Sequence, residues 1–203
     1  MKVISDRDFF IRDLDDDMPL NKLFNDGKDL YIEIGSGKGE FISQYPQKHP
    51  NWNFIGFELS EKRIINCLKK LSPEDNPNVR LVKRAIDDTI DQLFEKASVN
   101  GVFIQHPDPW PKRRHHRRRL FQTAFLDSLA KILKPKAKVQ IATDHKDYAL
   151  WIVDIFSNHK EFVSLQDTPI QNDYNLEDHV VTWFEQEQRR LGFEPNFMLY
   201  ERI

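Results

Sequence analysis

From Leu30 onward, short apolar runs alternate with amphipathic stretches, and each run ends in turn-forming or charged residues. Leu30-Tyr31-Ile32-Glu33-Ile34 stops at Gly35-Ser36-Gly37-Lys38-Gly39, after which Glu40-Phe41-Ile42 opens a helical pattern. That order reads as strand, tight glycine turn and helix. The same reading predicts strands over 53–58, 79–82, 99–105 and 138–142, with closing strands over 162–165 and 197–200. Helices are expected over 61–71, 88–96, 121–133 and 148–156. Strands that alternate with helices imply a sheet covered on both faces. The expected fold is therefore α/β and doubly wound, around a mostly parallel, seven-stranded sheet. Residues 1–29 lack clean periodicity, carry Asp13, Asp15, Asp16 and Asp17, and read as an irregular or weakly helical lead-in. No linker, repeat or low-complexity tract divides residues 30–203, which are expected to form a single domain.

Composition narrows the classes. At 203 residues, 39% hydrophobic and 31% charged, the chain can bury one core and is not of the disordered type. No apolar run approaches the roughly 20 residues that cross a bilayer. The opening residues lack a signal-peptide core and are too acidic for a transit peptide, so a cytoplasmic address is expected. The one cysteine, Cys67, supplies neither an internal disulfide nor a zinc set, and no metal is expected. The formal net charge of −2 hides an asymmetry: residues 112–119 hold six of the 30 Lys and Arg and no acid, leaving 24 basic against 32 acidic side chains elsewhere. Such a patch draws a polyanion to one place and repels it from the rest.

In doubly wound sheets ligands bind beyond the carboxyl ends of the strands. The loop after the first strand has an acid, Glu33, two residues before G-x-G-x-G, and Glu58 closes the second strand where it can accept bonds from ribose hydroxyls. The glycine pattern alone also suits a nicotinamide cofactor. Glycines at Gly35 and Gly37 let a ligand press on backbone, and a donor with a cationic sulfonium end and no phosphate needs carboxylates such as Glu33. These details favour S-adenosylmethionine without excluding the alternative.

The fourth strand runs into Gln105-His106-Pro107-Asp108-Pro109-Trp110-Pro111-Lys112 and then the basic run. Prolines at alternating positions fix φ and stiffen the chain around Asp108 and Trp110. Taken alone, this is a rigid surface loop whose Trp packs beneath it. Its place at a central strand end, joined without a linker to a cationic run, points instead to a reacting centre beside a phosphate-binding surface. His115 and His116 lack metal-ligating neighbours in sequence.

The segment from His106 through Leu120 resembles the signature of the tRNA guanine-N7 methyltransferases of the TrmB type. Glu33 to Gly39, Ala142-Thr143-Asp144, Thr182-Trp183-Phe184-Glu185 and Arg189-Arg190-Leu191-Gly192 match in the same order, so the likeness spans about residues 30–202. The resemblance implies a Rossmann-like, class I S-adenosylmethionine-dependent methyltransferase fold and methylation of a variable-loop guanine in tRNA. It implies that Glu33, Gly35, Gly37, Glu58, Arg84 and Asp108 hold the donor, and that Asp108 is the catalytic residue. Lys112, Asp144, Thr182 and Glu185 would bind the substrate, and Arg114, His115, His116, Arg117, Arg118 and Arg119 would contact RNA. Without it, Thr182-x-x-Glu185 is an ordinary helix capping box. Two departures stand out. Arg84 occupies a place where relatives put Asp or Asn, leaving a backbone amide, Asp87 or Asp88 to serve the adenine, or donor affinity altered. The lead-in is also short and acidic. A monomer or homodimer without an obligatory partner is expected. Rival readings are a methyltransferase for another RNA base or a protein, an RNA-binding relative without catalysis, and a nicotinamide-dependent oxidoreductase, which leaves the basic run unexplained.

Overall fold

The structure, a computed structural model, describes residues 6–12, 18–173 and 178–203. The acidic stretch from Asp13 to Asp17 lies outside the described residues. In chain order the elements are α1 (Asp6–Phe10), β1 (Ile11–Arg12), β2 (Asp29–Ile34), α2 (Glu40–Lys48), β3 (Trp52–Phe57), α3 (Glu61–Leu68) and β4 (Val79–Val82). They continue as β5 (Val99–Gln105), α4 (Thr123–Ile132), β6 (Leu133–Thr143), α5 (Lys146–Ser157), β7 (Phe162–Ser164), α6 (Trp183–Arg190) and β8 (Asn196–Arg202).

Alternation along the central strands builds two cores. Leu30, Ile32 and Ile34 of β2, with Ile55 and Phe57 of β3, face Phe125 and Leu129 of α4 and Tyr148 and Ile152 of α5. Tyr31, Phe54 and Phe103 point the other way, onto Phe41, Ile42 and Tyr45 of α2 and Cys67 of α3. Burial on both faces is why these strands read as near-continuous apolar runs. The eight strands lie in the order β1-β4-β3-β2-β5-β6-β8-β7, with β8 antiparallel to both neighbours and the remaining pairs parallel. The direction of winding reverses between β2 and β5, so the crevice opens at their carboxyl ends.

The sheet has one strand more than expected. Ile11 and Arg12 pair with Leu81 and Val82 of β4, and Phe10 is buried in the second core, so the lead-in caps a sheet edge. The helix expected over 88–96 is a single 3-10 turn, Ile90–Gln92. Asp87 explains this: its carboxylate accepts from the Thr89 amide (2.9 Å) and hydroxyl (2.6 Å), a local turn that competes with helix. The fifth expected strand begins earlier. Leu133 pairs with Val99 and Lys138 with Gly101, so residues 134–137 bulge out, with Lys136 at φ +67°. No helix among the described residues is long and apolar enough to cross a membrane.

Candidate functional site

The glycine turn after β2 has Gly35 at φ +84° and Gly37 at φ +55°, a region closed to most side chains. Amides of Gly35 and Ser36 both donate to the Phe57 carbonyl at 2.9 Å, locking the turn onto β3. Glu58, also buried, joins this lock: its Oε2 accepts from the Gly37 amide (3.0 Å) and its Oε1 from the Ser60 amide (2.8 Å). At Gly39 a Cβ would meet the Cys67 Cα at 2.8 Å, which is how α2 and α3 come so close. Glu33 is 2% exposed, and its Oε2 has no hydrogen-bond partner among the described residues. Burial pushes its carboxyl up to about 8. A buried carboxyl oxygen left open beside a glycine turn could hold a cation.

A cleft of about 510 Å³ opens at the reversal of strand order. Gly35 and Glu58 line it together with Arg84, Asp87 and Asp88, and so do Asp108, Trp110, Arg117, Arg118 and Arg119. The two sequence signatures, far apart in the chain, thus face one cavity. Arg84 Nη2 donates to Thr89 Oγ1 at 3.3 Å, leaving both aspartates at the cleft as well. Arg63 of α3, unremarked in the sequence, reaches the same lip with Nη1 3.7 Å from Glu58 Oε2.

The loop after β5 is held in an unusual shape. His106 (φ +50°) and Trp110 (φ +43°) both occupy the left-handed region, uncommon for residues with a Cβ. The His106 amide donates to the Ala142 carbonyl at 2.8 Å, tying the loop to β6. Between them Asp108 is exposed, and its carboxylate has no hydrogen-bond partner among the described residues. Trp110 is half-buried, with the Arg118 guanidinium 5.0 Å from its ring centre and the His115 ring edge-on at 5.9 Å.

Residues Arg113–Arg118 form a 3-10 turn. Lys112, Arg114, Arg117 and Arg118 are exposed, while His115 and His116 are half-buried, the latter edge-on to Trp151 at 5.6 Å. Arg119 departs from the expectation that it contacts RNA. It is 2% exposed, and its guanidinium is taken up by the Pro109 carbonyl (2.9 Å) and by Asp147 (2.6 Å).

The expected substrate residues divide in the same way. Lys112 is exposed at the outer end of the loop, and its carbonyl accepts from the His115 amide. Asp144 is half-buried, with its Oδ1 3.5 Å from His106 Nδ1; pairing with that ring holds its carboxyl below the usual range. Thr182 caps α6 by accepting from the Glu185 amide at 3.2 Å. Glu185 is fully buried, with Oε2 bonded to His179 Nε2 (2.9 Å) and Oε1 to Arg189 Nε (3.0 Å). With no exposed surface and both oxygens bonded within the chain, it acts as the anchor of α6, the nearer reading being the capping motif. Sequence reasoning assigned no role to Trp183 and Phe184, which α6 sets against the glycine turn and the loop after β5. The Lys38 ammonium stands 3.0 Å above the Trp183 ring, and Phe184 packs on His106 at 4.8 Å. The available signal was two adjacent aromatics inside a matched motif.

A family described as "Putative methyltransferase" matches residues 27–196. The chain is 37% identical over 166 residues to a tRNA (guanine-N(7)-)-methyltransferase of Lacticaseibacillus casei, covering 80% of this chain and 76% of that protein. It is 31% identical to a protein of the same description from Bacillus subtilis, covering 85% and 80%. Among solved structures it is similar in fold to a "putative methyltransferase" from Streptococcus mutans in complex with SAH, with TM-score 0.54, 14% identity, and 87% and 89% covered.

Proposed function

The chain belongs to the family of tRNA (guanine-N7)-methyltransferases, and from that premise we propose how its own residues carry out the reaction. The enzyme transfers the methyl group of S-adenosylmethionine to N7 of a guanine in tRNA, which we take to be the variable-loop guanine. The observation that carries the reading is the shared cleft: the glycine turn and Glu58 face Asp108, Arg117 and Arg118 across one cavity. The open Oε2 of buried Glu33 and the bare backbone of Gly35 fit a cationic donor. When bound, that donor supplies an electrophilic methyl on a sulfonium.

Guanine N7 carries a free lone pair in the neutral base, so no side chain has to remove a proton before attack. The protein's task is alignment and charge stabilisation. Asp108, exposed at the cleft, accepts from the ring N–H and exocyclic amine of the base's Watson–Crick edge, which orients it and stabilises the positive charge that develops in the ring. Asp144, steered by His106, is placed to accept further N–H groups. Trp183 and Phe184 wall the base between the glycine turn and the active loop. Arg117 and Arg118 hold phosphates and set the register of the RNA. Nothing in this scheme needs a metal or a second protein: the enzyme acts as a monomer or homodimer in the cytoplasm.

Incubation with labelled donor and unmodified tRNA, followed by nucleoside identification, should yield N7-methylguanosine; another methylated nucleoside overturns the reading. Changing Arg117 and Arg118 together to Ala should lower the slope of log affinity against log salt by roughly 2, about one per lost phosphate contact. An unchanged slope makes the run a solvated surface.

Glu33 gives a pH signature. Its carboxyl sits near 8 in the free protein, so below that pH it carries a proton. A cationic ligand favours the carboxylate, and the proton must leave on binding. Donor affinity should therefore rise by up to about tenfold per unit as pH increases from 6 towards 8. Calorimetry in buffers of different ionisation enthalpy should register the released proton, and Glu33→Gln should flatten the profile. A wild-type profile already flat over that range removes Glu33 from donor binding.

A further inference from the structure

We propose that Arg119 is a positioning residue for methyl transfer: from behind the active loop its guanidinium holds the backbone that presents Asp108. The inference rests on the reading of Asp108 given above and extends it to a buried residue in the lining of the same cleft, whose guanidinium is committed to protein partners.

Buried cations are rare unless paired, and Arg119 is held through two of its three guanidinium nitrogens. Its Nε donates to the Pro109 carbonyl at 2.9 Å, the residue directly after Asp108. Its Nη2 donates to Asp147 of α5 at 2.6 Å. The guanidinium carbon lies 5.0 Å from the ring centres of both Tyr148 and Trp151, so aromatic side chains of α5 flank the plane. The chain around Arg119 is itself fixed. Trp151 Nε1 donates to the Phe121 carbonyl (2.8 Å), and Gln122 Nε2 donates to the His116 (2.9 Å) and Arg119 (3.3 Å) carbonyls.

The loop needs such a clamp. Pro107, Pro109 and Pro111 have no N–H to donate, and His106 and Trp110 sit in left-handed conformations that relax unless the surroundings hold them. Among the described residues, the bond from Arg119 to Pro109 is the hydrogen bond that ties segment 107–111 to the rest of the chain. Only a planar, forked cation meets the carbonyl, the carboxylate and two ring faces together; an ammonium does not. The last arginine of the basic run, though it too lines the cleft, is buried and gives its guanidinium to aiming the loop, while Arg117 and Arg118 stay exposed there.

The test is single-turnover methyl transfer at saturating tRNA and donor in Arg119→Lys and Asp147→Asn, with tRNA affinity and its salt slope measured in parallel. Arg119→Lys should slow transfer by about 10–100-fold through misplacement of the loop, with the salt slope unchanged because no phosphate contact is lost. Asp147→Asn keeps the Pro109 bond and frees one end of the clamp, so it should show a smaller loss of the same kind. In Arg119→Ala, added guanidinium ion at non-denaturing concentration should restore part of the rate. Weaker tRNA binding with a flatter salt slope and an undiminished single-turnover rate makes Arg119 a phosphate contact and overturns the proposal. If Arg119→Lys does not fold, an undiminished rate in Asp147→Asn overturns it instead. Asp108→Asn separates the two readings: if it transfers at the wild-type rate, the role of Asp108 fails, whereas a slow Asp108→Asn beside a fast Arg119→Lys removes only the clamp.

Discussion

Asp108→Asn should lower the single-turnover rate of methyl transfer by about 100-fold or more while leaving donor affinity within a few fold. The side chain is exposed, and its carboxylate has no hydrogen-bond partner among the described residues, so its removal disturbs no packing. Stability should change by no more than about 0.5 kcal/mol. Asparagine keeps the volume and one acceptor oxygen but loses the negative charge. The loss therefore reads the charge that opposes the cation growing in the imidazole ring of guanine. On the proposed reading donor affinity comes from Glu33, Glu58 and the glycine turn rather than from Asp108, and should persist. Rapid-quench transfer from labelled donor under tRNA saturation is the measurement. A rate within a few fold of wild type would assign the charge stabilisation to another group, Asp144 being the nearest candidate.

Much of this site was legible because its chemistry sits in contiguous stretches. Gly35 to Gly39, Glu58 and the segment from His106 to Lys112 follow strands whose apolar runs are unmistakable, and a parallel sheet delivers such segments to the same edge. What escaped is set by tertiary partners. Arg119 differs from Arg118 in nothing the sequence displays, yet Asp147, Tyr148 and Trp151 of α5 turn it inward. Glu185 reads as half of a capping box, or by resemblance as a substrate residue, until His179 and Arg189 are seen to enclose it. The short strand Ile11–Arg12 has no periodicity to detect, since two residues fix no pattern; its pairing with β4 supplies the conformation. At 88–96 a helical pattern lost to the Asp87 turn, a local bond that outweighs weak periodicity. The basic run consequently does two jobs that composition merges. Arg117, Arg118 and Arg119 all line the cleft, but the first two are exposed and the last gives its guanidinium to the protein.

The second large effect is expected at the far end of the site, where Glu185→Ala should lower stability by about 2–3 kcal/mol and raise KM for tRNA with a smaller change in kcat. Breaking a fully buried pair costs about 3–5 kcal/mol; here Arg189 is 39% exposed and recovers water when the carboxylate is gone, which reduces the loss. For a domain of this size the melting temperature should fall by about 5–10 °C. Glu185 accepts from His179 and Arg189 while its own amide caps the helix on Thr182, so its loss loosens α6 and with it the aromatics set against Lys38 and His106. Burial alone would raise the Glu185 carboxyl, but its bonds to His179 and Arg189 outweigh that and hold it below its ordinary 4.5. A depressed carboxyl contributes stability above its unfolded-state value and loses it as pH falls through the folded one. The gap in melting temperature between wild type and Glu185→Ala should therefore be full at neutral pH and narrow on acidification below about 4.5. Differential scanning calorimetry across pH 3.5–7 tests the sign, and Glu185→Gln, which keeps the shape and one acceptor, should fall between the two. A variant that melts like wild type yet fails to bind tRNA would make Glu185 a substrate ligand and α6 a mobile part of the site.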